Sequence, residues 1–278
     1  MTSTGPGASA LADLVAPGGV VVLSGAGLST ESGIPDYRGP SGASLRRHGP
    51  MTYQAFLGDP VARRRYWARS HVGWALMRTA TPNDGHRAVA ALEEHGLVVG
   101  TVTQNVDGLH QAAGSREVVD LHGRLDRVVC LACRVTVSRA HVRERLDAAN
   151  AEWRATLTAV NPDGDVDLPD DRLDGFVVVD CEACGGLLKP DVVYFGESVP
   201  VDRIKASYAL VDRARLLLVL GTSLHVFSGR RFVVRAANAG IPVAIVNHGP
   251  TRGDDVAVLK LDEPLGATLT AVRRELRA

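Results

Sequence analysis

The chain has no apolar run long enough to cross a bilayer, which excludes a membrane-spanning helix. It also lacks net charge. Its 31 Lys and Arg balance 31 Asp and Glu, so no bulk attraction to nucleic acid or to an acidic membrane is expected, and neither is predicted as a partner. Lysine is scarce, occurring only at Lys189, Lys205 and Lys260; arginine supplies the rest, a mark of base composition and not of function. Met1 to Ala10 shows neither a basic start before an apolar stretch nor an Arg-rich amphipathic pattern, so a cytoplasmic location is expected. Nor is there a sign of wholesale disorder, since 45% of residues are hydrophobic and 22% charged. At 278 residues the chain exceeds a typical single domain and suggests one large α/β domain with a smaller companion.

What is present is organised around Val20 to Gly39. Val20, Val21, Val22 and Leu23 read as a buried strand that runs into Gly25-Ala26-Gly27, where missing side chains allow a tight turn and close approach of backbone N–H groups to a phosphate. The usual nicotinamide fingerprint has a third Gly or Ala three residues after the second; Thr30 stands there instead, and Ser32-Gly33-Ile34-Pro35-Asp36-Tyr37-Arg38 comes next in place of a regular helix. The stretch therefore reads as a phosphate loop coupled to a polar lid. A strand-to-helix turn with incidental glycines is the plainer alternative.

Along the chain, strands alternate with helices. A helix over 10–15, capped by Ser9, precedes the first strand; Gly39 to Gly49, rich in Gly, Ser and Pro, suits either a mobile cover or an ordinary surface loop. Residues 60–78 form an amphipathic helix with a solvated basic face, and 86–95 a further helix. The strand 97–103 ends in Gln104-Asn105-Val106-Asp107, polar residues placed where open parallel sheets bind ligands, though Asn and Asp also cap helices. A short strand at 118–120 delivers His122 beside Gly123. Later come a helix over 140–153, an extended run 187–197, helices over 201–214 and 230–239, and strands 215–220, 242–246 and 256–261. The first two of those strands end in Gly221-Thr222-Ser223 and Asn247-His248-Gly249, and a helix over 265–276 closes the chain. The alternation predicts an α/β, doubly wound parallel sheet interrupted by excursions near 40–85 and 124–190.

The four cysteines form two Cys-x-x-Cys pairs, Cys130 with Cys133 and Cys181 with Cys184. One such pair would suit redox chemistry. Two, each beside an extended run and the second followed by Gly185-Gly186, fit a closed four-thiolate zinc site with no open position, hence structural. The acidic stretch Asn161 to Asp167 lacks the spacing and terminal Glu of a calcium loop and reads as solvated.

Taken in order, Gly25-Ala26-Gly27-x-Ser29, Gly33 to Arg38, Thr103 to Asp107, Leu121-His122-Gly123, the paired cysteines, Lys189 to Val193, Phe195-Gly196-Glu197, Gly221 to Leu224 and Val246-Asn247 resemble the sirtuins, NAD-dependent protein deacylases. The likeness runs over about residues 10–275. Glu31-Ser32, Arg65 to Arg69, Gly73-Trp74, Asn161 to Asp165 and Gly249 to Asp255 look more narrowly like the class II branch with its mitochondrial and bacterial members.

The resemblance implies a Rossmann-like NAD-binding domain from residues 9–39, 86–123 and 191–275, and a smaller helical and zinc-binding domain from 40–85 and 124–190. It implies that Gly25, Ala26, Gly27, Thr30, Gly221, Thr222 and Ser223 hold the phosphates and adenosine ribose, and that Asn247, His248, Gly249 and Leu265 border the adenosine. Pro35, Asp36, Tyr37 and Arg38 would close over the nicotinamide ribose; Gln104, Asn105, Val106 and Asp107 would line its pocket. An acyl-lysine peptide would add as a strand between Val193 to Glu197, with Phe195 and Gly196, and the segment near Leu224 to Ser228. In the implied chemistry the substrate's acyl oxygen attacks the ribose carbon that nicotinamide leaves, Asn105 and Asp107 orient the nicotinamide and exclude water, and His122 takes a ribose hydroxyl proton. The products are free lysine, nicotinamide and O-acyl-ADP-ribose. The protein is expected to be a monomer.

Two departures stand out. The family's peptide-side segment usually has Pro after Val-x, whereas Val226 is followed here by Phe227-Ser228-Gly229. Tyr66-x-x-Arg69 has the spacing that desuccinylase-type sirtuins use for an acidic acyl group, and either that role or a place on a solvated helix face fits Arg69. Protein mono-ADP-ribosyl transfer and a non-catalytic NAD or ADP-ribose sensor are the alternative functions; the combination of His122, Asn105 and Asp107 argues against the sensor.

Overall fold

The computed structural model describes residues 5–36, 49–154, 159–160, 166–168, 173 and 175–278, without the side chains of 159, 160 and 167. Tyr37 and Arg38, the cover expected from Gly39 onward, and the acidic residues 161–165 lie outside the described residues. In chain order the helices are α1 (Pro6–Val15), α2 (Tyr53–Gly58), α3 (Pro60–Met77), α4 (Asp84–Glu94), α5 (Leu109–Ala112), α6 (Arg139–Ala149), α7 (Val201–Asp212), α8 (Phe227–Asn238) and α9 (Leu265–Glu275). The strands are β1 (Val20–Ser24), β2 (Val98–Thr103), β3 (Val118–Asp120), β4 (Gly123–Cys130), β5 (Thr136–Ser138), β6 (Ala159–Val160), β7 (Val166–Asp167), β8 (Leu188–Val192), β9 (Leu216–Leu220), β10 (Val243–Val246) and β11 (Leu259–Leu261).

Six strands form one parallel sheet in the order β11-β10-β9-β1-β2-β3. This is the doubly wound order, and it reverses direction between β1 and β9. Continuous apolar runs suit strands covered on both faces. Every residue of β1, β9 and β10 is buried, and their side chains alternate: Val20, Val22, Leu216, Leu218, Ala244 and Val246 enter one core with residues of α1, α4 and α9. Val21, Leu23, Leu217, Val219, Val243 and Ile245 enter a second core with residues of α7 and α8.

A smaller region is built on the antiparallel sheet β5-β4-β8 with α2, α3 and α6, and its core gathers Phe56, Tyr66, Trp67, Val128, Val142 and Leu188. Asp59 caps α3, its Oδ1 accepting from Val61 N at 2.8 Å and Ala62 N at 3.1 Å, with Pro60 in the first turn. The one-sided amphipathic helix expected here is not what forms. Six consecutive residues, Tyr66 to His71, are buried, because protein surrounds the middle of α3, and only its ends meet solvent. Arg139 of α6, 1% exposed, donates to Ser70 O at 3.0 Å and Ser70 Oγ at 2.9 Å and lies 4.7 Å from the Trp67 ring centre.

Some boundaries shift for local reasons. α1 begins at Pro6, where proline is preorganised for a first turn, and Ser9 instead hydrogen-bonds Glu275 at 2.7 Å. α6 stops at Ala149, since Asn150 turns its Nδ2 back to Leu146 O at 2.8 Å and accepts from Val177 N at 2.7 Å. α8 starts at Phe227, not Arg230. Gly229 does not break it; a Cβ there would lie 2.4 Å from Gln104 Oε1, so glycine permits close packing inside the helix.

Candidate active site

The site lies at the reversal point of the large sheet. β1 and β9 run side by side and end in Gly25-Ala26-Gly27 and Gly221-Thr222-Ser223, so their two turns meet. Gly27 N donates to Gly221 O at 2.8 Å, and Gly221 has φ +61. A Cβ on Gly221 would fall 2.4 Å from Leu28 N and 2.6 Å from the Gly27 carbonyl carbon. Glycine is required because backbone meets backbone. Thr30 Oγ1 donates to Gly27 O at 2.9 Å, and Arg252 N donates to Ser223 O at 3.0 Å, which fixes each turn from behind.

The end of β2 supplies the polar floor. Asn105 Nδ2 donates to Gly25 O at 3.1 Å and Ser29 Oγ at 3.0 Å; Ser29 Oγ donates to Asp107 Oδ2 at 2.7 Å; Leu109 N donates to Asp107 Oδ1 at 2.9 Å. Burial raises the Asp107 carboxyl above its usual range, opposed by those hydrogen bonds from Leu109 and Ser29. Gln104 Nε2 reaches Thr222 Oγ1 at 3.2 Å and ties β2 to the second glycine turn. Beneath the floor, His110 Nε2 lies 2.8 Å from Ser24 Oγ, and His110 and His86 stack edge to face with ring centres 5.1 Å apart. Burial pulls their pKa values down to about 3 and about 4, so both are neutral.

His122 is delivered by β3 and locked by the turn into β4. Gly123 has φ +84, and a Cβ there would sit 1.8 Å from Asp191 O, so only glycine lets β4 leave the imidazole and pair at once with β8. Val193 N donates to His122 O at 2.8 Å. His122 Nδ1 is 3.0 Å from Gln104 O; a carbonyl can only accept, so Nδ1 carries the hydrogen and Nε2 keeps its lone pair. Ser228 Oγ stands 2.8 Å from that Nε2. Burial lowers the His122 pKa to about 4, with the Gln104 hydrogen bond opposing and the Arg203 charge adding.

The facing wall is Val193 to Glu197. Buried Lys189 donates its Nζ to Val192 O and pairs with Glu197 Oε2 at 3.0 Å, and the same oxygen accepts from Tyr194 N at 2.8 Å. Glu197 thus shapes the loop. The wall is also stitched to α2, because Tyr53 N donates to Phe195 O at 2.9 Å and Gln54 Nε2 to Gly196 O at 3.2 Å. On the opposite side Phe227 and Ser228 belong to α8, which leaves Leu224 to Val226 as the non-helical backbone there.

These walls enclose about 700 Å³. Of the residues singled out from sequence, Gly25, Ala26, Gly27, Asp36, Gln104, Asn105, Val106, Asp107 and His122 line the cavity, as do Gly221, Thr222, Ser223, Asn247, His248 and Gly249. Tyr66, Val193, Phe195, Gly196 and Glu197 complete that set. Thr30 stands behind the first turn, Pro35 sits between two lining residues, Leu265 is buried in the core as the first residue of α9, and Arg69, one turn beyond Tyr66, is buried and is not among the lining residues. Sequence reasoning names Ser29 in its turn motif and Ser228 in the peptide-side segment but gives neither a role of its own in the site. Ser29 puts a side-chain hydroxyl beside the first small-residue turn, which is a usable signal; Ser228 is marked only by standing in place of the usual proline, and nothing local points from it to His122, 106 residues away.

The four cysteines converge where β4 ends and β8 begins. Their Sγ atoms all lie within 4.8 Å of one another, with Cys130 and Cys184 at 3.5 Å and Cys133 and Cys181 at 3.8 Å. Zinc held at thiolate bond lengths separates tetrahedral sulfurs by about 3.8 Å, so the donor set fits one structural zinc with every position filled by protein. A Cβ on Gly186 would crowd Cys130 Sγ at 3.0 Å and Cys184 Sγ at 3.2 Å.

Residues 25–228 match the profile of the Sir2 family. The chain is 59% identical over 266 residues to NAD-dependent protein deacetylase 1 of Streptomyces coelicolor, covering 96% of this chain and 89% of that one. It is 52% identical over 262 residues to NAD-dependent protein deacetylase 1 of Mycobacterium avium, covering 92% and 91%. Among solved structures, a Sir2–p53 peptide–NAD+ complex superposes with a TM-score of 0.77 at 31% identity, covering 96% of this chain and 97% of that one. Sir2 bound to acetylated peptide gives 0.75 at 30% identity with the same coverage.

Proposed function

We infer, from the premise that this chain belongs to the Sir2 family, that it is an NAD-dependent protein deacylase acting on acyl-lysine peptides, with His122 as its base. The observation that carries the catalytic reading is the fixed tautomer of His122, its Nε2 lone pair turned into the cavity that both glycine turns line. NAD, when bound, supplies a ribosyl carbon that takes the acyl oxygen and ribose hydroxyls that must lose a proton. The protein does the rest. Gly27 and Gly221 open the reversal point to phosphate, Asn105, Ser29 and Asp107 present a rigid hydrogen-bonded floor to the nicotinamide, and burial excludes water. His122 Nε2 accepts the proton while Gln104 O holds Nδ1–H and steadies the resulting cation.

The domain limits 9–39, 86–123 and 191–275 against 40–85 and 124–190, a monomer in the cytoplasm, and the class II placement belong to the same proposal. The direct test is release of nicotinamide from NAD with an acetyl-lysine peptide. His122→Ala is expected to lose about a hundred- to ten-thousand-fold in kcat/KM while zinc content and melting stay unchanged. Wild-type turnover in that variant overturns the assignment.

We propose in addition that Tyr66 and Arg69 favour an acyl chain ending in a carboxylate, which the Tyr66 position on the cavity wall supports. Arg69→Ala assayed on acetyl- and glutaryl-lysine peptides decides it. Loss confined to glutaryl supports carboxylate recognition; equal loss on both makes Arg69 a residue that holds α3.

A further inference from the structure

Half-buried His122 faces a problem of its own making. A base is useful only if its protonated form is tolerated, and this imidazole sits where burial opposes charge. Gln104 O satisfies Nδ1–H in both protonation states. Nε2 is different: it needs a donor when neutral and an acceptor once it carries a hydrogen. A hydroxyl is the side-chain group that can be either. Ser228 Oγ, 2.8 Å from Nε2, is in place to do both.

We propose that Ser228 is a positioning residue for the base: its hydroxyl donates to His122 Nε2 in the resting site and turns to accept from Nε2–H after the proton is taken. The proposal rests on the reading of His122 as the base. Proton balance is simple. The substrate-side hydroxyl loses its proton to Nε2, Ser228 keeps its own, and only the direction of one hydrogen bond reverses. Placement supports the role. Ser228 lies in the first turn of α8, where no side chain caps the helix, so its hydroxyl is not engaged in capping and is turned to the imidazole. Gly229, next to it, allows α8 to approach Gln104, the residue that holds the other ring nitrogen; both hydrogen bonds to His122 are therefore set by one packing contact. In the sequence, Ser228 stands where the related segment usually carries proline, which could make neither bond.

The resting hydrogen bond also has a cost in binding. An incoming hydroxyl must displace the Ser228 donor from Nε2, so removing Ser228 frees the lone pair and should not weaken substrate binding. A serine that merely supported the helix would behave the other way. Charged and titratable groups near the ring are Arg203 of α7, paired with Asp191 of β8 at 2.7 Å, while Asp36, Asp107, Glu197, Arg231, His225 and His248 face the same cavity; the substitution removes none of them.

The test compares Ser228→Ala and Ser228→Thr in the full-length zinc-loaded protein with NAD and an acetyl-lysine peptide. Ser228→Ala is expected to lower kcat about tenfold, the order of one hydrogen bond to a charged group, without raising KM for NAD. Its acid limb should move to lower pH, because the protonated ring has lost its acceptor, and Ser228→Thr should restore both. In the free protein the ¹⁵N resonance of His122 Nε2 should move in Ser228→Ala and not in Ser228→Thr, a readout that needs no turnover. Wild-type kcat and pH limb in Ser228→Ala, or a threonine variant as slow as the alanine one, would overturn the proposal. If His122→Ala also turned over normally, it would be the reading of the base that fails.

Discussion

The two regions of the molecule solve the problem of a stable interior in different ways. The large sheet buries every residue of β1, β9 and β10 between two helical layers, and its site is made from backbone turns, a hydrogen-bonded polar floor and a fixed imidazole. The small region has a three-stranded antiparallel sheet and relies on four thiols in one cluster, on the guanidinium of Arg139 over Trp67, and on the Lys189–Glu197 pair. Where apolar layers close on both sides, the chain needs no ion to hold its shape; where they do not, a cross-link substitutes. The groups proposed as catalytic sit on the first region, and the wall proposed for the peptide is stitched to the second through Tyr53 and Gln54.

The largest expected effect breaks that contrast at the metal. All three tryptophans, Trp67, Trp74 and Trp153, lie in or against the small region's core, so tryptophan emission reports that region alone. Removing zinc with a chelator, or replacing Cys184 with serine, is expected to shift the emission as the cysteine knuckles open, since structural zinc sites supply on the order of 10 kcal/mol of binding free energy to the folded form. Far-UV circular dichroism should fall only by the small region's share. Loss of the parallel sheet together with the knuckles would show instead that the two regions fold as one unit.

Legibility in the sequence divides along the same line. β1, its glycine turn, β9 and the cysteine pairs are legible because local pattern alone dictates them: a β-branched run, a Gly-x-Gly, a Cys-x-x-Cys. α3 is legible in its span, expected over 60–78 and found over Pro60–Met77, but not in its burial, because six residues in a row, including Arg69 and His71, are buried and a one-faced pattern cannot describe a helix that protein surrounds. Gly229 reads locally as a break before a helix, yet it marks close packing on Gln104 within one. The Ser228–His122 contact and the stitching of Phe195 to Tyr53 join distant parts of the chain, and no local signal encodes them. Most of the NAD side is therefore visible in the sequence, and the peptide side is not.

The smaller effect sharpens the contrast through acid. The large region holds His86 and His122 with pKa values lowered to about 4 and His110 lowered to about 3, in each case chiefly by burial. In the small region His71 is also lowered by burial, but Asp147 at 3.0 Å opposes the shift. A histidine whose folded pKa lies below its unfolded value near 6.5 leaves stability intact above that pH. As pH falls from about 6.5 toward 4 the unfolded chain takes up protons that the folded one refuses, and stability drops by up to about 1.4 kcal/mol per pH unit for each such group. Since His86 and His110 are stacked, protonating one resists protonating the other, and the pair acts together. Urea unfolding at pH 7, 6 and 5, followed by circular dichroism so that the large sheet dominates, should show that slope, and His110→Gln should reduce it by about one histidine's share. An unchanged slope in His110→Gln would mean that the pocket under Ser24 admits water and the proton freely. The sheet's insulation would then end at the reversal point itself.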